Sequence, residues 1–370
     1  MRRRRIGGTS RFLFLFLLFL LSCAILSACG APDAETEPES RSVSFIAMDT
    51  FMEFTAYKNI NNNINHSPDD NINNNLDLGA ALDEAKRAVL EIEAEMSATN
   101  PESDIYKINI NNGGEIQSGT AEILKNALQY CELTDGALDI SIYPLVKLWG
   151  FTTDEYHVPT KEEIDDLLQF VDYKNINLNN HEIELEPGME IDAGAVAKGY
   201  AGKKAAEILR ENGVKSALLN LGGNIQTVGS KPDGSSWRIG VQNPDDPSDY
   251  IGVMSVEDKA AVTSGGYQRY FIGPDGVKYW HIIDPETGRP AKKGLLSVTI
   301  VGRDGMLCDA LSTALFIMGA ERAELFWRTH QDLNFDMILI TDKGEVLSTP
   351  GLDFKLTDNA EEYKLHILEI

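Results

Sequence analysis

The chain has 370 residues and a formal net charge of −24, with 33 Lys and Arg against 57 Asp and Glu. So acidic a protein is a poor partner for nucleic acid or anionic lipid, because binding their phosphates relies on basic patches. A phosphate-rich ligand would need a metal ion between itself and the protein's carboxylates.

The first segment reads as an export signal rather than as fold. Arg2 to Arg5 form a positive n-region, and an apolar run follows from Phe12 to Leu26. That run is shorter than the roughly 20 residues a spanning helix needs, which makes residues 1–28 a signal peptide. It ends in Leu26-Ser27-Ala28-Cys29-Gly30, which resembles the bacterial lipobox. The resemblance implies cleavage before Cys29 and a diacylglyceryl group on it; two acyl chains anchor firmly. The expected location is the extracytoplasmic face of a bacterial cell membrane, on the periplasmic side where an outer membrane exists. Without residues 1–28 the charge becomes −29, with 28 basic against 57 acidic residues. Cys131 and Cys308 then remain; both lie in apolar helical patterns and are expected to be free thiols. Residues 29–41, rich in Pro, Glu, Asp and Ser, form a disordered tether. Residues 42–370 are long enough to bury a large core.

Ser42 to Tyr57 alternates as one strand carrying Met48-Asp49-Thr50. Residues 58–75 are dominated by Asn and read as a loop insertion. Leu82, Ala85, Val89, Ile92 and Met96 mark an amphipathic helix, Ser97 to Asn109 a turn-rich connector, and Thr120 to Leu133 a second helix stopped near Gly136. Thr134 to Asp139 leads into Pro144 to Phe151. Thr160 to Glu163 is a capping box, and residues 174–191 hold two strands around Asn179-Asn180. Asp192 to Tyr200 is Gly/Ala-rich and opens a helix running through Arg210 and ending at Gly213. Strands follow at Ala217 to Leu221, before Gly222-Gly223-Asn224, and at Trp237 to Val241. After Thr263 to Tyr267, a hairpin turning at Pro274-Asp275-Gly276 delivers His281 and Asp284. Leu296 to Val301 is a strand, Met306 to Gly319 a helix, and a strand pair closes around Asp342-Lys343-Gly344. Helices do not alternate regularly with strands, so the expected class is α+β with antiparallel sheets and packed helices, not a doubly wound sheet.

Three stretches carry chemistry. Asp309 and Thr313 are four residues apart on a helix and share a face, a carboxylate and a hydroxyl suited as hard-oxygen ligands to Mg²⁺. His281 precedes the rigid loop of Asp284-Pro285-Glu286-Thr287-Gly288-Arg289-Pro290 and brings a titratable imidazole to its entrance. The small residues from Asp192 to Gly199 let a ligand approach a helix N-terminus that favours phosphate, with Lys198 adding charge. That stretch matches neither standard nucleotide fingerprint. Thr263-Ser264-Gly265-Gly266-Tyr267 is not a Gly-x-Ser-x-Gly nucleophile turn, and no Cys/His set has zinc spacing.

Taken together, Met48-Asp49-Thr50, Thr134 to Asp139, Pro144 to Phe151, Asp192 to Tyr200, Leu221 to Asn224, Thr263 to Tyr267, His281 to Pro290 and Asp309 to Thr313 resemble, in order and spacing, the ApbE family of FAD:protein FMN transferases. The resemblance runs from about residue 42 to about 345. Departures are Asp49 where Gly is usual, Cys308 where a small residue is usual, and the Asn-rich insertion. The resemblance implies an ApbE-like, T-fold-like domain over residues 42–370. It implies transfer of the FMN moiety of FAD to a Thr hydroxyl of a partner protein, with release of AMP. Carried over residue by residue, it implies Mg²⁺ ligands at Asp309, Thr313 and the Ala195 carbonyl. It also implies an FAD site lined by Met48, Ala137, Leu138, Asp139, Asp192, Lys198, Ile283 and Ser312, with His281 taking the acceptor's proton. The implied acceptors are extracytoplasmic flavin-accepting domains of respiratory electron-transfer complexes. An FAD pyrophosphatase, with water in place of Thr, and a non-catalytic flavin-binding or trafficking lipoprotein remain as alternatives.

Overall fold

The computed structural model describes residues 38–58, 76–153 and 155–369. The expected signal peptide and cleavage site, Cys29 and almost all of the Asn-rich insertion lie outside the described residues. Strands β1 (Ser40–Ala47) and β2 (Thr50–Tyr57) form an antiparallel hairpin. This corrects the reading of Ser42 to Tyr57 as one strand, and β1 begins two residues before the boundary expected at 42. The chain reverses at Met48 and Asp49, whose φ angles are 48° and 57°, the left-handed pair of a two-residue hairpin turn. Neither is Gly or Asn, so the usual turn signal is missing.

Helix α1 (Leu78–Met96) is capped by Asp77, which accepts from the Ala80 N–H at 3.0 Å. It buries Leu78, Leu82, Ala85, Val89, Ile92 and Met96 at helical spacing. The connector expected over 97–109 contains a helix, α2 (Asp104–Asn111). It forms there because the Ser103 hydroxyl caps it, accepting from the Tyr106 N–H at 3.0 Å, while Ile105 and Ile108 bury one stripe. Strand β3 (Gly113–Glu115), helix α3 (Ser118–Leu133), a 3-10 turn at Ile140–Ile142 and helix α4 (Tyr143–Leu148) follow. Helix α5 (Lys161–Leu168) opens with the expected capping box of Thr160 and Glu163. Strands β4 (Asn177–Asn179) and β5 (Glu182–Glu184) pair with each other, and β3 completes a small sheet with them.

Helix α6 (Gly194–Glu211) precedes β6 (Ser216–Leu221), β7 (Asn224–Val228), β8 (Trp237–Gln242), β9 (Tyr250–Val256) and β10 (Ala260–Gly265). Two short hairpins come next, β11 (Tyr270–Ile272) with β12 (Lys278–Trp280), and β13 (Ile283–Asp284) with β14 (Arg289–Pro290). Then come β15 (Leu295–Gly302), α7 (Gly305–Met318), α8 (Ala320–Thr329), β16 (Asp336–Thr341), β17 (Glu345–Ser348), β18 (Phe354–Leu356) and β19 (Lys364–Ile367).

Nine strands make one sheet in the order β1-β2-β6-β7-β10-β15-β16-β17-β19. Every pairing in it is antiparallel except β17 with β19. Both faces of this sheet are covered, so its strands send alternate residues to two cores. In β16, Met337 and Leu339 join the core built with α1, α6 and α7, while Ile338 and Ile340 join a second core. That second core is closed by the three-stranded sheet β18-β9-β8, through Trp237, Ile239, Met254 and Phe354. A third, smaller cluster of Leu145, Trp149, Phe151, Ile164, Phe271 and Ile283 seats the β11–β14 hairpins on α4 and α5. There the Trp149 indole N–H donates to the Gly288 carbonyl at 2.9 Å. The fold is α+β with antiparallel sheets and packed helices. Cys131 and Cys308 are both buried free thiols.

Candidate active site

Helices α6 and α7 meet where both have Gly. A Cβ on Gly199 would lie 2.2 Å from the Gly305 carbonyl oxygen and 2.6 Å from Asp309 Cβ, so only Gly permits this approach. The approach puts the Asp309 carboxylate against the backbone of α6, where its Oδ2 accepts from the Gly199 N–H at 2.8 Å. In a regular helix that N–H is directed at the carbonyl four residues back, which is Ala195. The Ala195 carbonyl therefore has at best a share of its donor. Asp304, the N-cap of α7, fixes the two helices a second time, with Lys203 Nζ 2.7 Å from its Oδ2.

Asp309 is buried, and burial pushes its pKa up to about 6 against the opposing pull of Lys198 and of the Gly199 N–H. Asp192 sits just ahead of α6, its Oδ1 accepting from the Gly194 N–H at 3.1 Å. Burial raises its pKa too, opposed by that N–H and by Lys198 and Arg269. The backbone N–H of Asp192 donates to the Ile140 carbonyl at 2.8 Å, which brings the Ala137–Asp139 segment alongside.

His281 follows β12. Its Nδ1 lies 3.1 Å from the Arg269 carbonyl oxygen. A carbonyl only accepts, so Nδ1 carries the proton and Nε2 keeps its lone pair. Burial brings the His281 pKa down to about 4, with the charges of Lys198 and Arg269 pulling the same way and the Arg269 carbonyl opposing. The imidazole is therefore neutral at physiological pH. Lys198 is within electrostatic reach of Asp192, His281 and Asp309 alike, so these three belong to one neighbourhood around it.

The remaining expected positions divide. Ser312 on α7 donates from its hydroxyl to the Asp309 carbonyl at 2.8 Å, and Ser264 on β10 lies 2.7 Å from Ser312 Oγ and 3.3 Å from Thr313 Oγ1. Met48 lies in the β1–β2 turn, its N–H donating to the Glu93 carboxylate of α1 at 2.6 Å. That turn abuts the Gly222-Gly223 turn so closely that a Cβ on Gly222 would lie 2.1 Å from Thr50 Oγ1. Asp139 is buried and uses both oxygens locally. Oδ1 accepts from the Ser141 N–H and hydroxyl at 2.8 and 2.6 Å, and Oδ2 accepts from the Tyr173 N–H at 3.0 Å. Burial is the main cause of its raised pKa. Ala137 and Leu138 are buried and Ile283 lies in the aromatic cluster, so their backbones rather than their side chains are what a ligand could meet. Sequence reasoning passed over Ser264, which lay in a quoted motif but was weighed only as a nucleophile, and Arg269, whose carbonyl sets the His281 tautomer.

Among the described residues no group of three or more His, Cys, Asp and Glu side chains forms a metal centre. A hard cation here would have one carboxylate, one hydroxyl and one carbonyl from the protein, and would take its other ligands from phosphate and water, as Mg²⁺ commonly does.

Comparison with known proteins finds relatives of one family over most of the chain. The ApbE family profile matches residues 48–337. The chain is similar to an FAD:protein FMN transferase of Vibrio cholerae, 32% identical over 268 residues that cover 70% of this chain and 80% of that protein. It is similar to another of Treponema pallidum, 33% identical over 264 residues, covering 66% and 73%. Among solved structures it resembles the ApbE protein of Thermotoga maritima, with a TM-score of 0.73 and 29% identity, covering 87% of this chain and 98% of that one. It also resembles the flavin transferase ApbE from Vibrio cholerae, with a TM-score of 0.69 and 26% identity, covering 88% and 100%.

Proposed function

The chain belongs to the ApbE family, and from that premise we propose that it is an FAD:protein FMN transferase. In this reading the acceptor's Thr oxygen attacks the phosphorus of the FMN half of FAD. The new P–O bond replaces the pyrophosphate bond, AMP leaves, and the Thr proton passes to His281 Nε2. The observation that carries the reading is the Asp309 carboxylate held against α6, where it accepts from the Gly199 N–H at 2.8 Å next to Lys198 in the chain, together with the His281 ring fixed by the Arg269 carbonyl at 3.1 Å.

Each residue has a task that its setting supports. Phosphoryl transfer depends mostly on positioning and charge neutralisation. Lys198 and the first turn of α6 hold the pyrophosphate. His281, neutral and with Nδ1 tied to the Arg269 carbonyl, offers Nε2 as the base that a weakly acidic Thr hydroxyl needs. Asp309, Thr313 and the Ala195 carbonyl suit Mg²⁺. The donors are hard oxygens, and burial pushes the Asp309 pKa up to about 6 despite the pull of Lys198, so a cation beside it would stabilise its charged form. When bound, Mg²⁺ would neutralise pyrophosphate charge and stabilise the leaving oxygen of AMP. The same reading has Cys29 carry a lipid anchor on the extracytoplasmic face of the membrane. Among the described residues no helix is long and apolar enough to cross a membrane. The acceptors are extracytoplasmic flavin-accepting domains of respiratory electron-transfer complexes.

Chromatography of nucleotides and flavins tests the reaction type. The full chain in detergent, given FAD, Mg²⁺ and a Thr-bearing acceptor domain, is expected to form AMP in step with protein-bound flavin. Asp309→Ala should lower that rate by about 100-fold or more, since a cation that stabilises charge in the transition state is worth several kcal/mol. AMP accompanied by an equal amount of free FMN would mean hydrolysis and would contradict the transferase reading.

A further inference from the structure

Three hydroxyls meet between the end of β10 and the middle of α7, and their protons can be placed. Ser312 Oγ donates to the Asp309 carbonyl at 2.8 Å. A hydroxyl has one proton to give, so Ser312 must accept in its 2.7 Å contact with Ser264 Oγ. Ser264 thus gives its own proton to Ser312 and keeps only acceptor capacity. Its 3.3 Å contact with Thr313 Oγ1 is then a hydrogen bond in which Thr313 donates. The donors run one way, from Thr313 to Ser264 to Ser312 to the Asp309 carbonyl.

The consequence falls on Thr313. Its proton is directed at strand β10, so its lone pairs stay free. A hydroxyl that binds a cation must present a lone pair, not a proton. A helical Thr otherwise tends to turn its hydroxyl toward a carbonyl of the preceding turn. Ser264 offers the Thr313 proton an acceptor on a different element and so holds the rotor. With its proton already given to Ser312, and no His among its hydrogen-bond partners, Ser264 is not set up as a nucleophile.

We propose that Ser264 is a positioning residue of the cation site, holding the Thr313 hydroxyl so that its lone pairs remain available to a divalent cation. The inference rests on the reading of Asp309 and Thr313 as cation ligands. Its test is binding of Mn²⁺ alone to the full chain in detergent without FAD, with free Mn²⁺ followed by electron paramagnetic resonance. Ser264→Ala is expected to weaken binding about tenfold, the low end for loss of a residue that supports a ligand, and Ser264→Thr to restore it to within about twofold. Because Ser264 acts through Thr313, Ser264→Ala should have no further effect in a Thr313→Ala background, a double-mutant cycle that a merely structural role would fail. Ser264→Cys, whose thiol is a weaker acceptor, is measured alongside in case the Ala variant does not fold, and it too should weaken binding. Wild-type affinity in folded Ser264→Ala or Ser264→Cys, or an undiminished loss in the Thr313→Ala background, would overturn the proposal and leave the cation reading intact. Wild-type affinity in both Asp309→Ala and Thr313→Ala would instead remove the cation reading, and this proposal with it.

Discussion

His281 shows how much a single hydrogen bond and burial decide. The Arg269 carbonyl fixes the proton on Nδ1, and burial holds the ring neutral down to about pH 4. In the unfolded chain the same ring takes up its proton near pH 6.5. Its contribution to stability is therefore complete above about pH 6.5 and is lost as pH falls toward 4, by about 2 to 3 kcal/mol at pH 4.5. The difference in unfolding free energy between wild type and His281→Gln, from denaturant titration at pH 7.5 and pH 4.5, should shrink by that amount on acidification. A difference independent of pH would contradict the assignment. At this scale the sequence was informative where residue type and local spacing determine the chemistry. Asp309 and Thr313 share a helix face because they are four apart, and His281 sits beside its loop. It was uninformative about Ser264 and Arg269, whose contacts with Thr313 and His281 come from other elements. Nor could it show that Asp139 has both oxygens engaged by Ser141 and Tyr173.

Among the elements, α6 and α7 carry the site, and their approach is set by Gly199 against Gly305. Gly199→Ala would place a methyl inside contact distance of the Gly305 carbonyl and Asp309 Cβ, forcing the helices apart. Such overpacking typically costs about 1–3 kcal/mol. The same displacement would pull the Gly199 N–H away from Asp309. A melting experiment with a Mg²⁺ titration should show both a lowered Tm and weakened cation binding, whereas a variant as stable as wild type with unchanged binding would show that the crossing is looser than described. The two helices themselves were legible, α6 from the Gly/Ala-rich stretch that opens it and the Gly213 that ends it, α7 from a mostly apolar stretch of 14 residues, too long for a buried strand. Short elements were not. The Met48-Asp49 reversal lacks the Gly or Asn that marks hairpin turns, and α2 is only 8 residues long and hidden among polar residues.

Over the whole molecule, one sheet separates the chemistry from a second core. Helices α1, α6 and α7, which carry Lys198 and Asp309, lie on one face, and the β18-β9-β8 sheet covers the other. Trp237→Ala, in that second core, should cost about 3–5 kcal/mol of stability while leaving the turnover of the folded enzyme at 25 °C within about twofold of wild type, as expected for a change that adds independently to events at the site. A large loss of turnover in folded protein would mean that the two faces are coupled. The class α+β could be read from the irregular succession of helices and hairpins. The strand order could not, because β2 beside β6 and β7 beside β10 are pairings between distant segments with no local signature. Continuous apolar runs such as Met337 to Ile340 do mark a strand buried on both faces, but they do not say what covers each face.

The most direct measurement is covalent flavin on an acceptor. The full chain in detergent is incubated with FAD, Mg²⁺ and a Thr-bearing acceptor domain, and the acceptor is examined for flavin fluorescence after denaturing electrophoresis. The wild-type enzyme should yield a fluorescent acceptor that is absent when Mg²⁺ is chelated or Asp309 is replaced by Ala. With His281→Ala the band should form about 100-fold or more slowly, the effect of removing a general base. FAD recovered intact beside a dark acceptor, under conditions where the acceptor is flavinylated by another transferase, would contradict the account.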